Sequence, residues 1–235
     1  MTRAVESMGL HADMTAGLSL GEYCAIAVAG GMCDLDAIRT VRSRGIFMEH
    51  AAPEGSGAMS AVLGMDAAVI EDVLNGREGV SIANYNCPGQ IVITGEAAAV
   101  AEAGTALKEA GARRVLPLKV SGPFHSPMMR PAGEELAKVF ARVSMNPLKI
   151  PYVANINAEV ITDCGRIEGL LVEQVSGSVR WQQSVETMIR EGVDTFVEIG
   201  PGKTLTGFLR KIDKNVKAYH IGSWEEAVQV CEELK

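Results

Sequence analysis

Ser19 stands between two glycines in "GLSLG", residues 17–21, directly before the helical-looking apolar run "LGEYCAIAVAGG". The spacing G-x-S-x-G lets a strand turn sharply into a helix, leaving the serine hydroxyl exposed at the bend above the helix N-terminus. Such a turn crowds its own backbone, and glycine removes the Cβ atoms that would clash. Ser19 is therefore a candidate nucleophile. A serine hydroxyl needs a base to take its proton, and near neutral pH that base is most often histidine. Four histidines are available. His11 lies on the approach to Ser19, its side chain expected to point away. His50 ends a helix, where the helix dipole accounts for it. His220 falls in a short strand and reads as a half-buried structural residue. His125 lies in "VSGPFHSPMM", a Gly/Pro-marked loop between a strand and a helix, where catalytic groups are commonly placed. On pattern alone it reads equally as the base or as an ordinary loop histidine.

The elements that must position these groups follow from periodicity and its breaks. "LGEYCAIAVAGG" reads as a buried helix closed by Gly30 and Gly31. Asp34 is expected to cap a second helix, on which Ile38, Val41 and Phe47 recur at helical spacing. Over residues 57–120, "AMSAVLG", "DAAVIEDVLNG", "VSIANYN", "QIVITG", "EAAAVAEAGTALKEAG" and "RRVLPLKV" alternate as β-α-β-β-α-β, a ferredoxin-like order. Helices and short apolar strands then alternate to the C-terminus, among them "KIPYVANIN" and a buried strand "DTFVEIG", implying a largely parallel sheet. The fold class is α/β. Residues 1–56 and 121–235 are expected to form an α/β-hydrolase-like domain, residues 57–120 an inserted ferredoxin-like subdomain, and the cleft between them the active site. Fewer than twenty residues precede Ser19, so the chain reads as starting in the middle of such a fold.

A chain of 235 residues, 47% hydrophobic and 22% charged, is long enough to bury a sizeable core. Its net charge of −7 argues against general nucleic-acid binding. Five widely spaced cysteines without a C-x-x-C pair read as reduced thiols, neither a disulfide framework nor a zinc site. There is no signal-peptide pattern and no apolar run long enough to span a bilayer, so the expected location is cytoplasmic. "GPGKTLTG" fails as a phosphate loop, because Val197 stands where the first glycine belongs. No metal or cofactor is implied.

The ordered set "GLSLGEY", "VRSRG", "GSGAMSAVLG", "NCPGQIVITG", "GPFHSPMM" and "FVEIGPGKTL" resembles the malonyl-CoA:acyl-carrier-protein transacylases of fatty acid synthesis and the related acyltransferase domains of polyketide synthases. The likeness runs over essentially the whole chain. It implies that Ser19 accepts a malonyl group from coenzyme A and that His125 activates first the serine, then the phosphopantetheine thiol of the carrier protein. It implies that a backbone carbonyl, matched to Arg180, orients the histidine in place of a triad acid. The backbone N–H of Leu20 is then one oxyanion donor. Arg44 matches the arginine that holds the free malonyl carboxylate; by its spacing alone, with Arg39 and Arg42 nearby, it reads as a solvated helix residue. A guanidinium fork suits a planar carboxylate better than an ammonium does. Phe124 matches a position that disfavours an α-methyl branch, a preference worth about 1–3 kcal/mol. Met48 and Met59 match apolar pocket positions, for which core packing is an equal account. Leu18 replaces the family's usual histidine. The family pattern also has a G-Q-G-x-Q-like segment well upstream, whose glutamine N–H is the second oxyanion donor. This sequence contains no such segment and reads as N-terminally truncated.

Three functions compete at this point: malonyl transfer between malonyl-CoA and acyl carrier protein, a serine thioesterase or esterase on the same site, and a non-catalytic carrier-binding remnant. Arg113 and Arg114 are candidate contacts for an acidic carrier helix, though paired basic residues at element ends are usually just solvated.

Overall fold

The computed structural model describes residues 1–234. Helix α1 (Thr2–Ser7) and the short strand β1 (Thr15–Ala16) lead to Ser19, and α2 (Leu20–Val28) begins at the next residue. Helix α3 (Asp34–His50) is capped by Cys33, whose Sγ accepts the Asp36 N–H at 3.4 Å. Asp34, the expected cap, is instead the first helical residue and pairs with Arg3 at 2.6 Å.

The middle of the chain runs β2 (Gly57–Leu63), α4 (Ala67–Leu74), β3 (Val80–Cys87), β4 (Gln90–Glu96), α5 (Ala97–Glu109), β5 (Arg114–Pro117). Its strands form one antiparallel sheet in the order β3-β4-β2-β5. Period-two alternation divides the side chains between two faces. Val62, Ile82, Ile91 and Ile93 form a core with Val100 and Leu107 of α5. Met59, Ala61, Ala83 and Val92 gather instead against Phe124, the residue before His125. The second face of this sheet therefore backs onto the histidine loop.

A 3₁₀ turn at Pro127–Met129 leads into α6 (Arg130–Phe140), followed by β6 (Tyr152–Val153), β7 (Val160–Ile161) and α7 (Ile167–Ser176). Then come α8 (Trp181–Arg190), β8 (Thr195–Ile199), α9 (Thr204–Ile212), β9 (Lys217–Ile221) and α10 (Trp224–Glu233). β7 and α7 fall in a stretch to which the sequence reading assigned nothing. Ile167, Leu170, Leu171 and Val175 of α7 are buried, at the i, i+3, i+4, i+8 spacing of a core-facing helix. They join Tyr23, Ile26, Met129, Leu136 and Phe140 in the main core beneath Ser19. Cutting Leu136 back to alanine there would cost about 2–5 kcal/mol.

The α/β class rests on the parallel pairs β1–β6 and β8–β9. The sequence suggests one largely parallel sheet, whereas these pairs lie in two separate small sheets. A groove of ≈ 1320 Å³, bordered by Thr15 and Ala16 on one side and Phe196 and Val197 on the other, lies between β1 and β8. Open to that groove, β8 is half-buried along its whole length instead of being the buried strand expected. Among the described residues no helix is long and apolar enough to cross a membrane, and no cluster of His, Cys, Asp and Glu could hold a metal ion.

Candidate active site

The turn from β1 into α2 places Ser19 at the helix N-cap with φ 53°, ψ −102°. A positive φ is costly for any residue with a Cβ and persists only where the surroundings hold it. Only three non-glycine residues among those described have one: Ser19, His125 (φ 61°) and Ala158. Asn155, just past β6, braces the serine turn from both sides. Its Oδ1 accepts the Ser19 N–H at 2.6 Å, and its Nδ2 donates to the Gly17 carbonyl at 2.8 Å.

The loop after β5 brings His125 to the serine, with 2.8 Å between Nε2 and Ser19 Oγ. Nδ1 lies 2.9 Å from the Gln174 carbonyl oxygen and 3.1 Å from that of Gly177. Both partners can only accept, so Nδ1 carries the proton and Nε2 presents its lone pair to the serine hydroxyl. Burial, and secondarily the charge on Arg44, push the His125 pKa down to about 4. The imidazole is thus neutral and ready to accept a proton across the physiological range.

Arg44 projects from α3 and is only 6% exposed. Its Nη2 donates to Ser19 Oγ at 2.9 Å and to Gln174 Oε1 at 3.1 Å. The guanidinium lies over the Tyr23 ring, 5.6 Å from its centroid. Its Nε is buried without a partner. The hydroxyl of that Tyr23 ring is likewise buried without a partner. The arrangement can therefore deprotonate a serine hydroxyl beside a cation that has a donor to spare for an anion.

A family model described as "Acyl transferase domain" matches residues 1–230. The chain belongs to the acyl transferase family. It is 45% identical over 231 residues to the malonyl CoA-acyl carrier protein transacylase of Bacillus subtilis, covering 97% of this chain and 73% of that protein. The Escherichia coli protein of the same name is 45% identical over 203 residues, covering 85% of this chain and 65% of its own length. Among solved structures, the malonyl CoA-acyl carrier protein transacylase of Clostridium perfringens superposes with a TM-score of 0.95 at 38% identity, over 99% of this chain and 74% of that one. A further neighbour, with a TM-score of 0.92 and 38% identity over 98% of this chain and 76% of its own, is a malonyl-transacylase in complex with a type II polyketide acyl-carrier protein.

This acyl transferase thus gathers Ser19, His125 and Arg44 at one point, and one expectation is corrected. The carbonyl of Arg180 does not reach the histidine: it accepts from the Ser184 backbone N–H and hydroxyl, both at 2.8 Å, as the start of α8. The carbonyls of Gln174 and Gly177, on α7 and just past its end, take the place assigned to Arg180. The exposed Arg180 side chain lies over Tyr85 instead. Leu20 is the first residue of α2 and 51% exposed. The first N–H groups of a helix have no intrahelical acceptor, so its N–H is open to an oxyanion. Phe124 is half-buried and packs against both the main core, which contains Met48, and the sheet face that carries Met59. Met48 lies one helical turn beyond Arg44 on α3. Leu18 is partly buried against Trp181, Val185 and Phe208. Arg113 and Arg114 are exposed, beside and on β5. His11 and His50 are exposed, His50 with its Nδ1 2.8 Å from the Ile46 carbonyl. His220 lies with Nε2 3.0 Å from the Gly200 carbonyl oxygen.

Sequence reasoning missed Gln174, Asn155 and Glu22. Gln174 was findable through the apolar periodicity of α7, which would have placed a helix against the core. Nothing in the local pattern around Asn155 signals its contact with a residue 136 positions away.

Proposed function

We propose that this chain transfers a malonyl group from malonyl-CoA to the phosphopantetheine thiol of an acyl carrier protein, through an ester on Ser19. The names of its relatives support the overall reaction. The observation that carries the mechanism is the single serine oxygen set 2.8 Å from His125 Nε2 and 2.9 Å from Arg44 Nη2.

In the first half-reaction Ser19 Oγ gives its proton to Nε2 and attacks the thioester carbonyl carbon. The Nδ1–H, held by the Gln174 and Gly177 carbonyls, keeps the ring in the accepting tautomer and supports the imidazolium that forms. The Leu20 N–H faces the developing oxyanion. One preorganised donor of this kind is worth about 10²–10³ in rate. Collapse of the tetrahedral intermediate expels the thiolate of coenzyme A, which takes the proton back from Nε2. In the second half-reaction the carrier thiol gives its proton to Nε2 and attacks the serine ester, and Ser19 Oγ takes that proton from Nε2 as it leaves.

Arg44 explains the choice of acyl group. A guanidinium so thoroughly buried is costly unless it is paired. A malonyl carboxylate would pair with this guanidinium, whose Nη2 already donates to the nucleophile at 2.9 Å. A hydrolase for neutral acyl esters has no use for such a group. Phe124, wedged between the core and the sheet face, narrows the space beside His125 and disfavours an α-methyl branch. Arg113 and Arg114 offer positive charge to an acidic carrier surface.

The test is transfer itself. The chain is mixed with malonyl-CoA and a holo carrier protein, and the carrier mass is read with time. Growth of the malonyl-carrier species, absent in Ser19→Ala and in His125→Ala, supports the reading. Free malonate with no carrier product would make the chain a thioesterase.

A further inference from the structure

Gln174 is fully buried and makes four polar contacts at the site. Its main-chain oxygen takes the His125 Nδ1–H at 2.9 Å. Its side-chain Oε1 accepts from Arg44 Nη2 at 3.1 Å. Its Nε2 donates to the Ser19 carbonyl at 2.9 Å and to Glu22 Oε2 at 2.8 Å. The amide can sit only this way round. Turned over, its NH₂ would face the guanidinium and its oxygen would face two acceptors.

Glu22, in the first turn of α2, has no exposed surface. Its Oε2 also accepts the Asn155 N–H at 3.2 Å, while its Oε1 has no partner. Burial pushes its pKa up to about 7. Burial thus disfavours the ionised carboxyl and weakens its competition with an incoming anion for the charge of Arg44.

Resting on the acyltransfer reading above, we infer that the Gln174 side chain, anchored by Glu22, is the positioning residue that aims Arg44. In this role it sets the preference of the site for short acyl thioesters with a free carboxylate over neutral ones. The proposal concerns the side-chain amide, and it is separable from the main-chain carbonyl that orients His125, which any residue would supply.

Calorimetric binding of malonyl-CoA and acetyl-CoA in a Ser19→Ala background tests it without chemistry. The parent should favour malonyl-CoA. Gln174→Leu should lower the malonyl-to-acetyl affinity ratio about tenfold to a hundredfold, the range for a lost buried hydrogen bond to a charged group. Arg44→Ala should lower it at least as far, and Gln174→Leu should then add nothing, because residues that act as one unit are not additive. Glu22→Gln should recover most of the ratio that Glu22→Ala loses. If leucine unfolds the chain, Gln174→Met, of similar length, replaces it. A ratio within twofold of the parent, an equal fall for both thioesters, or a loss additive with Arg44→Ala overturns the inference. A parent that does not distinguish the two thioesters overturns the malonyl reading itself, and the inference with it.

Discussion

Gly17→Ala and Gly21→Ala, so similar in sequence, should act in opposite directions. A Cβ at Gly17 would fall inside van der Waals contact of the Gly21 carbonyl carbon and oxygen, and 2.7 Å from the Glu22 backbone nitrogen. All three atoms belong to the first turn of α2, so none can step aside without moving Ser19. Overpacking against side chains costs about 1–3 kcal/mol, and an unyielding backbone puts this case at the top of that range or above. A Cβ at Gly21 meets nothing within 4 Å, and its φ lies outside the left-handed region. Alanine there lowers the entropy of the unfolded chain and should stabilise by about 0.5–1 kcal/mol. The two variants should therefore differ by about 3–4 kcal/mol in urea unfolding, with unchanged m-values. Gly17→Ala within about 0.5 kcal/mol of the parent would refute the reasoning, as would a Gly21→Ala variant less stable than Gly17→Ala.

Three more outcomes can be checked. The acid limb of the pH profile for kcat/KM with malonyl-CoA should lie near pH 4, the free-protein value of His125. A histidine of ordinary pKa would instead lose about sixteenfold between pH 6.5 and 5, and such a loss would refute the assignment. Asn155→Ala leaves the Ser19 N–H and the Gly17 carbonyl without their partner and should destabilise by about 1–3 kcal/mol in the same unfolding assay. Charge reversal at Arg113 and Arg114 should raise the KM for the carrier while leaving malonyl-CoA loading unchanged; an unmoved carrier KM removes these residues from the docking surface.

The two shifted groups also act on stability with opposite signs. Unfolded His125 binds a proton near its ordinary pKa of 6.5, whereas the folded form waits until about 4, so its contribution is lost as pH falls through that window. Glu22 is raised from 4.5 to about 7, so its contribution is present at low pH and lost as pH rises across that window.

Much of the local structure was legible because each element from β2 to β5 ends at its own turn signal, and because strand and helix periods differ. The serine was legible through the G-x-S-x-G turn, whereas the Gly/Pro-marked loop left the histidine open until the family resemblance singled it out. What the sequence hid was long-range. Gln174 lies 155 positions from the serine whose carbonyl it holds, and α7 carries it in a stretch read as featureless. The resemblance placed the histidine's acceptor at Arg180, but that carbonyl belongs to the first turn of α8. The two glycines around Ser19 looked equivalent, yet only Gly17 faces the returning backbone. Sequence spacing fixes which residues share a turn; it does not say which backbone comes back to meet them.

The most direct test of the central claim is the site of acylation. The purified chain is mixed with malonyl-CoA, quenched in acid, digested and read by tandem mass spectrometry. The account predicts one malonyl group, carried by Ser19, and lost in His125→Ala. A folded chain with no adduct, or an adduct on another residue that survives Ser19→Ala, would contradict it.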